Sequence, residues 1–401
     1  MTGTATTRRP AVLGAPGAEG ASATVAMVGA GQLARMTQQA AIALGVRLRV
    51  LAAGPGEPAV AAGAQCVLGD PADLECLREL AQGAEVLTLD HERVPPEHLH
   101  ALERDGVALE PCAAAALFGQ DKLHARRELS RRGFPVPEFA HARSREEVAS
   151  FAAAHGWPLI AKAPRGGYDG RGVWTLAGPA DAHELLTALP DGLLVEPELR
   201  IECELAVLLA RSRSGECVCY EPVQTLQRDA MCREIIAPAR VDARVAADAR
   251  ELATALAAEI DATGVLAVEL FLTDSGLRVN ELALRPHNSG HYTIEGCATS
   301  QFEQHLRAVL GWPLGAPTLL APAVVTVNVL GAAAQPAVSS RADPRSCLRR
   351  ALGVPGAHVH LYGKEPRPGR KLGHVTVCAG ELQGALHAAR LAAALLEGRE
   401  S

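Results

Sequence analysis

Residues 24–51 constrain the fold more than any other stretch of the chain. An apolar run from Thr24 to Val28 leads into Gly29-Ala30-Gly31-Gln32-Leu33-Ala34. A helical pattern then runs to about Leu44, and Val46 to Leu51 is a second apolar run. Strand, glycine turn, helix and strand in that order make a βαβ unit, which commits the N-terminal region to a mainly parallel sheet. Shorter units follow, with strands expected near residues 66–68 and 86–89 and helices over 71–82 and 96–105. Gly29-x-Gly31-x-x-Ala34 fits the dinucleotide fingerprint, whose glycines let the backbone approach a phosphate at a helix N-terminus. A nicotinamide site also needs an acid closing the second strand. Here that strand ends Val50-Leu51-Ala52-Ala53-Gly54, so the turn reads as the head of a Rossmann-like sheet that a substrate could line.

At 401 residues there is room for two or three domains, and 48% hydrophobic residues suffice for buried cores. The net charge of -6 excludes a broad basic surface for nucleic acid or acidic lipid. The ten cysteines are scattered without a CxxC pair, which favours reduced thiols over a zinc or disulfide framework. Residues 1–22 are rich in Ala, Gly and Thr and lack an apolar core of signal length. They read as a flexible tail on a soluble cytoplasmic protein with no membrane span.

Downstream, a helix is expected from Gln120 to Arg132. The extended Phe134-Pro135-Val136-Pro137 then enters a second unit. Strands near 159–163 and 173–176 bracket Arg165-Gly166-Gly167-Tyr168-Asp169-Gly170-Arg171-Gly172 as a hairpin loop. More strands are expected near 193–196, 204–210, 218–222, 265–271 and 277–282, with a helix between Val245 and Thr263. An Ala- and Pro-rich linker to Pro322 precedes a small last unit.

No GxxxxGK[ST] sequence occurs, so a P-loop is absent. Lys162 and the glycine loop offer another way to hold a triphosphate, because backbone N–H groups can crowd round its oxygens. By themselves they fit an ordinary hairpin with a solvated lysine equally well. Glu269 and Glu281 tip the balance. Each lies in an apolar strand, where a carboxylate is costly unless paired or metal-bound. A hairpin through Thr273-Asp274-Ser275-Gly276 would bring Glu269, Asn280 and Glu281 together as hard ligands for Mg²⁺, with a structural ion pair as the alternative. Arg285-Pro286-His287-Asn288-Ser289-Gly290-His291 follows at once. It is dense in donors and too rich in Pro and Gly for the helix a zinc HxxxH pair needs, so it reads as an anion- and substrate-binding loop. Lys364, Arg370 and Lys371 flank Pro366, Pro368 and Gly369, a basic rim that suits a phosphate, with solvated surface cations as the alternative.

Together these segments resemble the N5-carboxyaminoimidazole ribonucleotide synthases, the ATP-grasp carboxylases of purine synthesis. The resemblance runs from Val25 to about His374. It is carried by residues 29–36, Gln120-Asp121-Lys122, 166–172, 279–291 and 300–305, and by Tyr362-Gly363-Lys364 with Pro368-Gly369-Arg370-Lys371. The run ending Arg-Pro-His-Asn-Ser-Gly-His is its most specific part.

The resemblance implies an α/β ATP-grasp fold. It would have a Rossmann-like pre-ATP-grasp domain (23–119), a central grasp domain (120–318) and a small C-terminal domain (319–401), in a homodimer. It implies that ATP, bicarbonate and 5-aminoimidazole ribonucleotide give ADP, phosphate and the N5-carbamate, with Mg²⁺ or Mn²⁺. Lys122, Lys162 and residues Gly167, Tyr168, Asp169, Gly170, Arg171, Gly172 and Val173 would contact ATP. Glu196, Pro197, Glu198 and Leu199 would form the adenine hinge, with Glu204 and Gln227 at the ribose. Glu269 and Glu281 would hold the metal beside Asn280. Tyr168, Asp169, Arg171, Arg285, His287, Asn288 and Ser289, with Gln32, Lys364, Arg370 and Lys371, would hold the ribonucleotide and bicarbonate. Arg285, Asp169 and His287 would serve catalysis. The chain departs from the family pattern at Tyr220-Glu221-Pro222-Val223-Gln224, at Gln227, at Pro197 and at Asp90-His91-Glu92-Arg93-Val94. Two alternatives stay open: an ATP-grasp ligase with a related amine acceptor, and a nucleotide-binding regulator without turnover.

Overall fold

The computed structural model describes residues 22–167, 170–228, 230–331 and 344–399. The expected tail, but for Ser22, lies outside them, as do Tyr168 and Asp169.

Strands β1 (Thr24–Val28), β2 (Arg47–Ala52), β3 (Gln65–Leu68) and β4 (Val86–Leu89) form a parallel sheet in the order β3-β2-β1-β4. The helix Gln32–Leu44 packs Ala34 and Ala41 against Val25, Met27 and Val50. Helices Leu74–Ala81 and Pro96–Arg104 cover Ala26, Val28 and Leu87 on the other face. With both faces covered, β1 and β4 are buried throughout, which is why they read as unbroken apolar runs. The expected helix over 71–82 starts only at Leu74, because the Asp73 carboxylate accepts from Glu75 N at 2.9 Å and caps it.

Strands β5 (Ala140–Ala142), β6 (Leu159–Lys162), β7 (Val173–Leu176) and β8 (Leu193–Pro197) form a small antiparallel sheet, β5-β8-β6-β7. The third sheet holds β9 (Ile201–Arg211), β10 (Cys217–Cys219), β11 (Val223–Arg228), β12 (Met231–Ala237), β13 (Gly264–Thr273) and β14 (Gly276–Ala283). It also holds β15 (Ala323–Leu330), β16 (Ala357–Leu361) and β17 (Lys371–Ala379). Its order is β14-β13-β9-β11-β12-β15-β17-β16, with β10 on β9. The helices Ala243–Glu259, Ala113–Gln120 and Lys122–Arg131 cover one face over Leu205, Val207, Val268, Val279 and Leu282.

Four details differ from the reading of the sequence. The helix expected from Gln120 is two helices. Gln120 ends the first, and extended Asp121 (φ -131°) caps the second by accepting from His124 N at 2.8 Å. The strand expected over 218–222 is shorter and one residue earlier. Strands β11 and β12 escape the sequence pattern, because a bulge between Leu226 and Gln227 breaks the alternation that marks a strand. The last unit does not hang from its linker. β15 pairs with β12 from Glu234↔Val327 to Ala237↔Val324, and Arg233–Glu397 and Arg390–Glu234 ion pairs bolt its last helix, Leu382–Leu396, beside that seam.

Candidate active site

The site begins as an acidic ridge on one face of the central sheet. Alternation along β13 and β14 places Glu269 and Glu281 on the face shared with Ala267 and Ala283, and the two glutamates are direct partners across the hairpin. The register slips between Glu269 and Leu270, leaving Asn280 as the extra residue of a bulge. Asn280 Oδ1 accepts from Lys162 Nζ at 3.1 Å, while Glu281 pairs with Lys122 at 2.5 Å. Glu204 on β9 lies opposite Phe271, one step along the same ridge. Burial lifts its carboxyl above the ordinary range, and a hydrogen bond from Gln227 works against that rise. Burial and then the neighbouring charges of Glu281 and Glu204 raise the Glu269 carboxyl well above the ordinary range.

Facing the ridge is a buried cluster of opposite sign. Glu196, at the end of β8, accepts from Arg126 Nε at 2.5 Å and pairs with Lys162 at 2.7 Å. Burial alone would raise the Glu196 carboxyl, but the Arg126 and Lys162 charges hold it below its usual value. Lys162 is lowered by burial and by Arg126, against the pull of Glu196. Arg126 is not among the candidates the sequence offers. It lies four residues after Lys122 on one helix, so the two cations share a face, and that spacing was the available signal.

The glycine loop closes the β6–β7 hairpin, with Lys162 opposite Val173 and Ala163 N donating to Gly172 O at 2.8 Å. Side chains would not fit here. A Cβ on Gly167 would meet Arg171 O at 2.6 Å, and one on Gly170 would meet the Ala230 methyl in the β11–β12 turn at 2.5 Å. The hairpin thus leans on the large sheet. Its base is tied to the second cation by Lys122 N donating to Pro164 O at 2.8 Å. Pro197 and Leu199 are half-buried in the β8–β9 connection, and Glu198 is exposed.

The loop 285–291 carries the ridge toward the N-terminal sheet. Arg285 Nε donates to Glu92 Oε1 at 2.6 Å. Burial works against the guanidinium charge, but Glu92 beside it, with Asp90 and Glu281, holds the proton more firmly than usual. Burial, Arg285 and Lys371 push His287 down to about 3, so its ring is neutral near pH 7. Its Nδ1 accepts from Ser289 N at 3.3 Å, leaving Nε2 facing Glu269 Oε1 at 3.6 Å. Asn288 is buried, and neither polar atom of its amide has a partner among the described residues. Gln301 pins the loop, accepting from His287 N at 2.8 Å and donating to His287 O at 2.7 Å.

The C-terminal unit reaches the same end. Lys364 donates to the Gln32 amide oxygen in the first glycine turn and lies 5.7 Å from the Tyr362 ring centre. The charge of Lys371 acts on Glu269 and His287. Arg370 instead donates to Glu365 O at 3.3 Å on the exposed side of the loop. Asp90 and Glu92 follow β4 at the C-terminal edge of the parallel sheet, the edge where open α/β sheets bind ligands, and that was their signal in the sequence. Asp90 accepts from Gly31 N at 3.0 Å, and burial pushes its carboxyl up to about 7 against the pull of Arg285. Tyr168 and Asp169 lie outside the described residues, which hold no cluster of three or more His, Cys, Asp or Glu suited to a metal. Among them, no helix is long and apolar enough to cross a membrane.

A grasp hairpin over an acidic sheet, fed by a Rossmann-like unit, defines an ATP-grasp enzyme. The chain matches the ribonucleotide synthetase preATP-grasp domain over residues 22–120 and the ATP-grasp domain over 127–302. Residues 324–388 match the phosphoribosylaminoimidazole carboxylase C-terminal domain. It is 49% identical over 374 residues to the N5-carboxyaminoimidazole ribonucleotide synthase of Mycobacterium tuberculosis, covering 92% of this chain and 86% of that one. It is 43% identical to that of Corynebacterium ammoniagenes, covering 93% and 91%. The crystal structure of the Aspergillus clavatus N5-carboxyaminoimidazole synthase with ADP and 5-aminoimidazole ribonucleotide superposes with a TM-score of 0.84 at 33% identity, covering 94% of this chain and 99% of that one. The chain belongs to the N5-carboxyaminoimidazole ribonucleotide synthase family.

Proposed function

We infer that the chain carboxylates 5-aminoimidazole ribonucleotide to N5-carboxyaminoimidazole ribonucleotide in purine biosynthesis, consuming ATP and bicarbonate and releasing ADP and phosphate. Family membership supports the reaction. The observation on the chain itself that carries the acceptor site is Asn288, a buried amide with both polar atoms unpaired, which calls for a ligand.

Lys122, Lys162 and the backbone of residues 167–173 hold the phosphates of ATP, while residues 196–199 border the adenine and Glu204 with Gln227 the ribose. Glu269 and Glu281 fit Mg²⁺, or Mn²⁺. Burial and the neighbouring Glu281 charge favour a proton on Glu269, and a divalent cation would relieve that crowding better, with Asn280 as a further oxygen. Glu269, Glu281 and Asn280 would hold the ion, which when bound would supply positive charge to offset that of the phosphates. A bicarbonate oxygen attacks the γ-phosphorus as the bond to ADP breaks. The carboxyphosphate then splits to CO₂ and phosphate, and the exocyclic amine takes up CO₂ and loses a proton. Arg285 offsets the anionic charge. Neutral His287 serves as a hydrogen-bond donor through Nε2 rather than as a stored acid. Asn288, Ser289, Gln32, Lys364 and Lys371, with Arg370, Tyr168, Asp169 and Arg171, hold the ribonucleotide and bicarbonate. Proximity and charge neutralisation supply the rate. The enzyme acts as a cytoplasmic homodimer with domains at 23–119, 120–318 and 319–401.

The test is ADP release with each substrate omitted in turn. Release should need Mg²⁺ and rise strongly when bicarbonate and the ribonucleotide are both present. Equal release without the ribonucleotide, and no carbamate formed, would overturn the reading. In the same assay Lys364→Ala should raise the ribonucleotide KM about tenfold to a hundredfold, the worth of one charge-assisted contact, with the ATP KM unmoved. A shift in the ATP constant alone would place Lys364 at the nucleotide.

A further inference from the structure

Behind the loop 285–291 four aromatic rings stand together, with His291, Tyr362 and His374 buried and His360 partly exposed. His374 lies mid-strand in β17, with Asn328 of β15 on one side and His360 of β16 on the other. The His360 ring stacks on it at 4.5 Å between centres and 15° between planes, and His360 Nε2 bonds Glu295 Oε1 at 2.6 Å. The His291 ring, which closes the substrate loop, lies 4.8 Å away on Gln301. His374 Nδ1 is hydrogen-bonded to Tyr362 Oη at 2.7 Å. Tyr362 is buried against Leu33, Met36 and Phe302.

These rings are poor material for a core. The Nε2 atoms of His291 and His374 are buried and unpaired among the described residues, a cost that leucine would not incur. Their arrangement does have a use. Tyr362 lies beneath the Lys364 ammonium, and His374 packs at once on that tyrosine, at 5.7 Å between ring centres, and on His291, whose ring also meets Tyr362 edge-on at 6.2 Å. β17 is paired on both sides, with β15 and β16, so His374 has a fixed mount.

We propose that His374 is a positioning residue for the ribonucleotide end of the site. It fixes Tyr362, and through it Lys364, against the loop 285–291. The inference rests on the reading of Lys364 as a ribonucleotide contact. His374 is itself fully buried and acts through Tyr362. Its hydrogen bond sets the tyrosine ring over which the ammonium is held, and its ring packs the loop from behind.

The test compares Tyr362→Phe, His374→Leu and His374→Asn, each alone and with Lys364→Ala. Tyr362→Phe and His374→Leu should raise the ribonucleotide KM about three- to tenfold, the worth of one buried hydrogen bond, with the ATP KM unmoved. His374→Asn keeps a polar atom near Nδ1 and should restore most of the loss. With Lys364 already replaced, Tyr362→Phe should add less than about twofold, because a residue acting through another has nothing left to act on. Purely structural packing would move both KM values together, or add in full to Lys364→Ala, and either result overturns the proposal. So does a normal ribonucleotide KM in Tyr362→Phe, a variant small enough to fold even if His374→Leu does not. If Lys364→Ala itself leaves that KM unchanged, the reading of Lys364 has failed and the proposal falls with it. If Lys364→Ala raises it and Tyr362→Phe does not, the proposal alone has failed.

Discussion

Glu269→Gln and Glu281→Gln should each lower turnover on the order of a hundredfold or more, because each deletes one of the two charges that would hold the metal. The fold of Glu269→Gln should not suffer. With its proton affinity raised in the folded state, Glu269 binds more protons folded than unfolded between the ordinary carboxylate range and its own raised value. Stability therefore declines as pH rises through that window, and an ionised Glu269 weighs against the ligand-free fold. Glu269→Gln removes that weight, so its melting temperature at pH 8 should equal or exceed that of the parent chain. The same shift predicts that the Mg²⁺ needed for half-maximal rate rises as pH falls below neutral, when protons compete for Glu269. Thermal melting and Mg²⁺ titrations at several pH values check all three. Near-normal rates at low Mg²⁺ in both variants would show that the carboxylates are structural.

Glu196→Ala should fail in the opposite way, through stability. It leaves Arg126 and Lys162 buried side by side without their shared anion, and breaking such a pair costs about 3–5 kcal/mol. The Glu196 carboxyl is held below its usual value, so its contribution is complete above the unfolded carboxylate range and fades as pH falls through the folded value. Urea unfolding at pH 7.5 should separate the two proteins widely, and the gap should narrow under acid conditions. A difference below about 0.5 kcal/mol at pH 7.5, the usual size for a surface change, would contradict the cluster.

What the sequence disclosed follows from the range of each signal. The first βαβ unit and the Glu269–Glu281 hairpin are local, and a short turn leaves little choice of register. The bulge that turns Asn280 toward Lys162 is not legible, because a one-residue slip leaves composition unchanged. Glu92 and Arg285 are 193 residues apart, and only the packed fold shows that one holds the other. The hinge acid Glu196 is expected at the adenine from its place in a motif, yet its side chain serves Lys162 and Arg126, a partnership built from three separate elements. Arg370 and Lys371 are adjacent in a basic run, and only the packed fold shows that Arg370 donates to Glu365 O while the Lys371 charge acts on His287.

The seam between β12 and β15 bears on how such a chain can be divided. A cut after residue 318 would leave β12 as a bare edge, with the hydrogen-bonding groups of residues 234–237 open and the buried Ile235 and Ile236 beside them. An exposed apolar edge of that kind recruits other strands, including copies of itself. The last eighty residues thus act as a sealing strip for the nucleotide-binding sheet, and a shortened chain is expected to be lost to self-association before its chemistry can be assayed.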